Sequence, residues 1–257
     1  MTTRRALVRR PSPRLAEGLV THIERQPVDT AKAFAQWDDY VRTLQAHGWE
    51  TIEVPAAPDC PDSAFVEDAV VAWGDLALVT RPGDDTRKPE TIEAERTVSA
   101  LGFQVHNITG EGTLDGGDVL KVKDIFYVGR GGRTNAEGVR QLRALFAPLG
   151  IQVVAVPLTK VLHLKSAVTA LPDGSIIGYV PVIDDPAFFP RFIEVPEESG
   201  AHVVDLGEGR LLMAADAPKS AALLESLGYQ PVLVDISEYE KLEGCVTCLS
   251  VRLRGAV

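Results

Sequence analysis

Cysteine is scarce in this chain, which holds three cysteines in 257 residues. So few cysteines cannot form the dense disulfide framework that stabilises small secreted domains. Long apolar runs are absent too, because no stretch approaches the roughly 20 apolar residues that a membrane-spanning helix needs. The first residues, Met1 to Arg5, do not resemble a signal region. These absences predict a cytoplasmic protein with no membrane partner.

Positive charge is also in deficit. The chain has 26 basic against 36 acidic residues, for a net charge of −10. A surface that binds nucleic acid or an anionic membrane therefore has no electrostatic support, whereas a small cationic ligand would be favoured. An apolar content of 45% is enough for a sizeable core, so we expect a folded chain.

An amphipathic helix, a glycine and a short strand recur along the chain. The clearest example is a helix predicted from Asp29 to Gln45, ended by Gly48 and followed by a strand at 51–54. The same order is predicted around Gly102, Gly150, Gly200 and Gly228. The first four glycines lie 54, 48 and 50 positions apart and the last interval, 28, predicts a truncated unit. Such spacing is typical of radial or solenoid repeats, and an ordinary α/β sheet stays open as the alternative.

Pairs of short strands are predicted between these units. The pairs cover 65–72 with 76–80, then 119–128, and then 168–180, where Asp173 and Gly174 form a tight turn. A last strand at 249–253 would close a ring that Ala6, Leu7 and Val8 open. Polar residues at strand ends would then face a common centre.

Cys245 and Cys248 form a C-x-x-C pattern just before this last strand. A zinc site is disfavoured because no second Cys or His pair lies at short spacing, and a redox dithiol would normally open a helix. A cysteine at the end of a strand is a candidate nucleophile. A buried structural thiol is the alternative.

Two acidic segments are candidates for a site. Glu67 and Asp68 lie in a run predicted to be an apolar strand, where charges are costly without a partner or a ligand. Asp115 precedes a glycine pair that allows close approach of the backbone. Surface carboxylates and an ordinary β-turn are the alternatives.

His163 is the histidine enclosed in an apolar, strand-like run, 161–168. It could serve as the general acid or base that thiol chemistry requires, or be a core histidine with satisfied hydrogen bonds. Arg87 and Arg133 could bind a carboxylate through two parallel hydrogen bonds, or lie at the surface.

Five motifs, taken together, resemble the dimethylarginine dimethylaminohydrolase family. They are F-V-E-D at 65–68, L-D-G-G-D at 114–118, G-R-T-N at 132–135, L-H-L-K-S at 162–166 and T-C-x-S at 247–250. The resemblance runs from about Leu7 to Val251. The family has the pentein fold, a five-bladed, pseudo-symmetric β/α propeller around a substrate channel. The resemblance therefore implies this α/β fold, with residues 1–257 as a single catalytic domain.

The resemblance also implies the activity. Asymmetric dimethylarginine and monomethylarginine would be hydrolysed to citrulline and the methylated amine through an S-alkylthiouronium on cysteine. The catalytic residues would be Cys248 as nucleophile, His163 as general acid and base, and Asp115, with Cys245 as a neighbour that has no catalytic role. The implied substrate-binding residues are Leu19, Asp62, Glu67, Asp68, Arg87, Arg133 and Leu242.

Each binding residue has an implied part. Asp68 and Asp115 would hold the guanidinium, and Glu67 would order that pair. Asp62 would meet the α-amino group and the two arginines the α-carboxylate. Leu19 and Leu242 would line the pocket.

The implied partner is a small methylated arginine, with no metal and no organic cofactor. A homodimer stays open. The alternatives are an arginine deiminase or an amidinotransferase of the same superfamily, and a non-catalytic protein that binds arginine-like ligands. The segment from Leu15 to Asp29, with Gly18 as a hinge, is a candidate lid.

Overall fold

The computed structural model describes residues 4–253. Residues 1–3, on which the prediction about a signal region partly rests, lie outside the described residues. The helices are α1 (Thr30–Ala46), α2 (Glu90–Ala100), α3 (Ala136–Phe146), α4 (Pro218–Ser226) and α5 (Ser237–Glu240). The strands are β1 (Arg4–Val8), β2 (Trp49–Glu53), β3 (Val70–Trp73), β4 (Leu76–Val79), β5 (Gln104–Asn107), β6 (Val119–Val122), β7 (Ile125–Arg130), β8 (Gln152–Pro157), β9 (Val168–Ala170), β10 (Ile176–Gly178), β11 (Phe192–Glu194), β12 (Val204–Gly207), β13 (Arg210–Ala214), β14 (Gln230–Val234) and β15 (Val251–Leu253).

The strands form five three-stranded sheets with one common plan. The middle strand pairs antiparallel with one neighbour and parallel with the other, as β4 does with β3 and β5. Five clusters of buried apolar side chains lie between neighbouring sheets, and one of them joins the last sheet to the first. This cyclic arrangement is the five-bladed β/α propeller that the family resemblance implies.

The two ends of the described chain close the ring. Strand β15 pairs antiparallel with β1, with Leu7 opposite Val251, and β1 pairs in parallel with β2. The predicted closure is confirmed, although the last strand begins at Val251 rather than at 249. Closure leaves few strand edges open to pair with other chains.

Helix α1 forms where the sequence predicts it. The Asp29 carboxylate accepts a hydrogen bond from the backbone N–H of Lys32, a cap worth about 1 kcal/mol. Gly48 then has a φ of 79°, which lets the chain leave the helix in a left-handed conformation. The predicted ends at Gly102, Gly150 and Gly228 also have positive φ and are confirmed.

The fourth recurrence is wrong. Gly200 lies in a 3₁₀ turn and leads into β12, the first strand of the last sheet, not into the strand that ends a unit. The corresponding crossover into β11 contains Pro181, Pro186 and Pro190 and forms 3₁₀ turns, because proline lacks the N–H that a longer helix needs. The unit around Gly228 is consequently complete, not truncated.

Two predicted strands are wrong as well. Glu67 and Asp68 lie in a 3₁₀ turn, and His163 is an extended residue immediately before another. A short apolar run indicates burial but does not distinguish a strand from a buried turn. The 3₁₀ turns are Leu15–Glu17, Val66–Ala69, Asp85–Arg87, Gly116–Asp118, Ala147–Leu149, Leu164–Ser166, Val180–Val182, Pro186–Phe188 and Ser199–Ala201.

Within residues 4–253, no helix combines the length and the apolar character needed to cross a membrane.

Candidate active site

The repeated plan of the blades brings the polar residues together. In four blades a 3₁₀ turn precedes the first strand, and in the blade closed by β15 a turn that contains Cys248 takes this place. Asp68 and His163 lie in or beside such turns, whereas Arg87 and Arg133 follow middle strands. Equivalent strand ends point to the centre of a propeller, so distant parts of the sequence meet there.

A narrow cavity lies at this centre. Eight of the ten predicted site residues line it, and the two that do not are Asp115 and Glu67. Its lining consists of Leu19, Asp62, Phe65, Asp68, Arg87, Arg133, Leu162, His163, Leu242, Glu243, Gly244 and Cys248.

His163 is held between carboxylates. Its Nε2 lies 2.9 Å from Asp115 Oδ2 and its Nδ1 lies 3.7 Å from Asp68 Oδ1. Burial alone would lower the pKa of His163, but Asp68, Asp115 and Asp118 outweigh it and raise the pKa to about 9. At neutral pH the ring is therefore a cation whose two nitrogens both carry a proton.

Asp115 lies behind His163 instead of in the cavity. Its side chain is fully buried, with Oδ2 on the imidazole and Oδ1 accepting from the backbone N–H of Gly83 at 2.8 Å. The geometry thus differs from the expectation that Asp115 contacts the guanidinium. A second carboxylate that holds the ring of a catalytic histidine fixes its orientation and favours its charged form.

The glycine pair at 116–117 permits this close packing. A Cβ on Gly116 would lie 2.0 Å from the carbonyl oxygen of Glu67, and one on Gly117 would lie 2.7 Å from His163 Nδ1. Gly117 also donates its N–H to Asp68 Oδ1 at 2.8 Å. The predicted close approach of the backbone is confirmed.

Asp68 is a buried, ionised carboxylate. Arg87 Nη1 donates to its Oδ2 at 2.7 Å. Burial would raise the pKa of Asp68, but the charges of His163 and Arg87 and the bond from Gly117 hold it well below its usual range. Because Asp68 lines the cavity beside His163, its charge is available to a cationic ligand.

The two predicted carboxylate-binding arginines have different surroundings. Arg87 is already bound by Asp68, by Glu90 and by the backbone carbonyls of Asp62 and Phe65. Arg133 Nη1 is buried 3.7 Å from Asp115 Oδ2 and has no hydrogen-bond partner within residues 4–253. An anionic group in the cavity would satisfy it.

Glu67 points away from the cavity. Its Oε1 accepts from Lys165 Nζ at 2.6 Å and from Arg252 at 2.8 Å, and its backbone N–H donates to the Cys248 carbonyl at 3.1 Å. We therefore find it beneath the turn of Cys248, in a supporting position and out of reach of a ligand in the cavity.

Cys248 closes a β-turn that begins at Cys245. The Cys248 N–H donates to the Cys245 carbonyl at 3.1 Å. Tyr40 Oη donates to the Val246 carbonyl at 2.8 Å, and Arg252 donates to the Thr247 carbonyl at 2.8 Å. The turn is thereby fixed from both sides, with the Cys248 side chain at the cavity wall.

The two sulfur atoms of this turn lie 3.3 Å apart. Their hydrogen bond lowers the pKa of Cys245 to about 5 and raises the pKa of Cys248 above its ordinary value. Both thiols are free and buried. The raised pKa of Cys248 favours its neutral thiol form.

Leu19, in the predicted lid, lines the cavity, and hydrogen bonds hold its segment beside it. The Leu19 N–H donates to both oxygens of Asp62, at 3.0 and 3.2 Å, and the Glu243 carboxylate accepts from Thr21 and His22 at 2.5 and 2.8 Å. A Cβ on Gly18 would lie 2.8 Å from Asp62 Oδ1, so this glycine serves close approach. Its φ of −52° is ordinary and gives no sign of a hinge.

Asp68, Asp115 and His163 are close enough to share a metal ion. Each is engaged elsewhere, and a histidine must be neutral to bind a metal. The raised pKa of His163 opposes that state. These three residues therefore fit a site in which His163 is a proton donor better than they fit a metal centre.

Sequence reasoning missed the supporting residues. Tyr40, Glu243 and Arg252 lie outside the five motifs. Lys165 and Asp118 do lie inside motifs. Asp118 accepts from Thr134 and Leu164, and burial raises its pKa to about 6. A charge within an apolar run was the available signal for both.

No protein-family model matches the chain. It is 68% identical over 254 residues to the N(G),N(G)-dimethylarginine dimethylaminohydrolase of Streptomyces coelicolor, covering 99% of this chain and 98% of the relative. It is 37% identical over 250 residues to the enzyme of that name from Pseudomonas aeruginosa, covering 96% and 98%.

The fold agrees with solved structures. A cysteine-to-serine mutant of the Pseudomonas aeruginosa enzyme, complexed with citrulline, superimposes with a TM-score of 0.91 at 35% identity, over 98% of this chain and all of that one. The N-terminal domain of the cyanobacterial arginine dihydrolase ArgZ, bound to product, gives a TM-score of 0.86 at 19% identity, over 98% of both chains. The second likeness concerns the fold alone.

Proposed function

Because the chain belongs to the dimethylarginine dimethylaminohydrolase family, we propose that it hydrolyses asymmetric dimethylarginine to citrulline and dimethylamine. Monomethylarginine would give citrulline and methylamine. One observation carries the proposal: a single cavity presents a cysteine thiol, a protonated histidine and a buried, ionised aspartate. That set suits a cationic, carbon-centred electrophile.

Substrate binding is assigned to the cavity-lining charges. Asp68 Oδ1 would accept hydrogen bonds from the guanidinium and orient it over Cys248. Arg133, whose Nη1 lacks a hydrogen-bond partner within the described chain, would bind the α-carboxylate. Asp62 would meet the α-amino group, while Leu19 and Leu242 line the wall. We assign Arg87 and Glu67 to ordering Asp68 and the turn of Cys248.

The reaction would start at Cys248. A bound guanidinium places positive charge beside the sulfur and lowers the pKa of the thiol, so the thiol releases its proton to solvent and the thiolate forms when substrate is present. The thiolate attacks the central guanidinium carbon. His163, held at Nε2 by Asp115, gives its Nδ1 proton to the departing amine, and the S-alkylthiouronium forms.

The second half of the reaction reverses the proton transfer. The neutral His163 takes a proton from water at Nδ1, and the hydroxide attacks the thiouronium carbon. The carbon–sulfur bond breaks, citrulline leaves and Cys248 returns. Asp115 keeps the ring in one orientation through both steps.

The experiment is turnover of asymmetric dimethylarginine, monomethylarginine and arginine side by side, with citrulline as the readout. Cys248→Ser should abolish citrulline formation. Cys60→Ser is the matched control, since Cys60 is also buried and lies outside the cavity. Faster turnover of arginine would indicate a deiminase, and no citrulline from any substrate would contradict the proposal.

The compartment, the domain organisation and the partner of the protein are also proposals. All three cysteines are free, which fits a reducing compartment and therefore the cytoplasm. We propose that residues 1–257 act as one catalytic domain on a small methylated arginine. The homodimer stays a prediction.

A further inference from the structure

Cys245 is a buried nucleophilic group that the proposed reaction does not use. Its side chain is in contact with the nucleophile, since the two sulfur atoms are 3.3 Å apart. The Thr247 hydroxyl lies 3.2 Å from Cys245 Sγ. A thiol in this position has a chemical partner but no part in binding the substrate.

The backbone already has the shape that a disulfide needs. The first and last Cα atoms of a β-turn lie within about 7 Å, and disulfides join Cα atoms about 4.4–6.8 Å apart. Tyr40 and Arg252 hold the carbonyls within the turn. A disulfide has a sulfur–sulfur length of about 2.05 Å, so the sulfurs need to approach by roughly 1 Å through side-chain rotation.

We propose that Cys245 and Cys248 are a site of reversible oxidation, at which a hydroperoxide joins them in an intramolecular disulfide. The effect on catalysis rests on the proposed function, because it follows from the role of Cys248 as nucleophile. Formation of the disulfide does not depend on that role.

The oxidation balances in two steps. The Cys248 sulfur, which faces the cavity, attacks a peroxide oxygen. The oxygen–oxygen bond breaks, a sulfenic acid forms, and the hydroxide leaves as water with the thiol proton. The Cys245 thiolate then attacks the sulfenic sulfur, the sulfur–oxygen bond breaks, and the displaced hydroxide takes a proton from solvent and leaves as water. Two electrons pass from the sulfur pair to the peroxide.

Cys245 is suited to the second step. Its sulfur lies 3.3 Å from that of Cys248, so the attack is intramolecular, and the hydrogen bond between the two sulfurs lowers the pKa of Cys245, which favours the attacking thiolate. We expect the disulfide to form faster than Cys248 is oxidised further to the sulfinic acid. Citrulline in the cavity should slow the first step, because it would cover Cys248.

The test treats the full-length protein with hydrogen peroxide and then with dithiothreitol. We expect the peptide that contains both cysteines to lose two hydrogen atoms, and the free thiols to fall from the three of the untreated chain to one. Citrulline formation from dimethylarginine should fall in parallel and return with dithiothreitol. Cys60→Ser should, like the wild type, lose two free thiols and citrulline formation with peroxide and recover citrulline formation with dithiothreitol.

The variant Cys245→Ser separates disulfide formation from further oxidation of Cys248. After peroxide treatment this variant should turn over substrate more slowly than before treatment, and dithiothreitol should not restore the loss. Its Cys248 should gain two oxygen atoms. Mass analysis of the wild type needs no variant, so it decides the proposal even if the variant does not fold. Oxygen addition to Cys248 without a disulfide in the wild type would overturn the proposal. A disulfide with undiminished turnover would instead overturn the role of Cys248.

Discussion

Arg87 Nη1 lies 2.7 Å from Asp68 Oδ2, and neither side chain is more than 4% exposed. The same guanidinium binds Glu90 at 2.8 Å. One buried cation thus binds two acidic side chains and fixes Asp68 before a ligand arrives. Arg133, by contrast, has a donor free of hydrogen bonds to residues 4–253. The two arginines should therefore respond differently to mutation.

Replacing Arg87 should destabilise the fold. Arg87→Met leaves Asp68 and Glu90 buried without their cation, and the loss of one partner of a buried pair costs about 3–5 kcal/mol of unfolding free energy. Urea denaturation measures this loss. The control is Arg140→Met, which removes an exposed partner of Glu137 and should cost less than about 1 kcal/mol. Equal losses in the two variants would contradict the prediction.

Replacing Arg133 should weaken substrate binding. Arg133→Lys removes the planar fork that suits a carboxylate, so we expect KM for dimethylarginine to rise about tenfold, a loss of about 1.4 kcal/mol, with a smaller change in kcat. Steady-state kinetics tests this. Arg130→Lys, at an exposed position nearby, should leave KM unchanged. An unaltered KM in Arg133→Lys would remove Arg133 from the binding site.

Replacing Asp115 should change the acidity of His163. In Asp115→Asn the imidazolium loses a charged acceptor, so its pKa should fall from about 9 toward the usual value near 6.5. The measurement is an NMR titration of the His163 ring in the free protein. Turnover should also fall, by about a hundredfold or more, because the amide does not favour the charged ring. A pKa that stays near 9 would show that Asp115 is dispensable.

Stability should depend on pH through His163. Its folded pKa, about 9, exceeds the unfolded value of about 6.5, so the charged ring stabilises the fold fully below pH 6.5 and its contribution is lost as pH rises through 9. The shift corresponds to roughly 3 kcal/mol at most. The difference in unfolding free energy between wild type and His163→Gln should therefore shrink from pH 6 to pH 9, as measured in urea. A difference independent of pH would refute this.

Glu243 should hold the segment over the cavity. Glu243→Ala removes the acceptor for Thr21 and His22, so we expect KM to rise about tenfold and trypsin to cut faster at Arg25. Glu208→Ala is the matched control, because Glu208 has the same left-handed backbone, with a φ of 55° against 59°. If both variants behaved alike, the effect would belong to the backbone and not to the carboxylate.

Much of the fold could be predicted from local signals. Asp29 as a cap, glycines at helix ends and alternating apolar residues each reflect a preference of a few residues, and the structure contains α1 and most strand pairs where these signals lie. The fourth crossover was mispredicted because prolines replaced its helix while an unrelated glycine, Gly200, kept the apparent spacing. Regular spacing of glycines does not show which of them end a helix.

The site was less predictable from sequence than its residue list suggests. Cys248 and His163 do line one cavity, but Asp115 and Glu67 support it from behind. Glu67 points to the basic side chains of Lys165 and Arg252 and not to the cavity. These partners lie about 100 or more positions from Glu67 along the chain, so the local sequence does not reveal them. Sequence motifs identify such residues as a group and do not separate those that touch the ligand from those that hold its neighbours.

The pairing of β15 with β1 has a consequence for biosynthesis. Leu7 can meet Val251 only after the long stretch of chain between them has been made, and Cys248 lies three residues before Val251, where that strand begins. The four other blades can assemble as the ribosome extends the chain, but the first blade must wait. Until the turn of Cys248 is made, a nascent chain holds the acids proposed to bind substrate, and later His163, without the proposed nucleophile. Closure of the ring then completes the blade and the site in one late, long-range step.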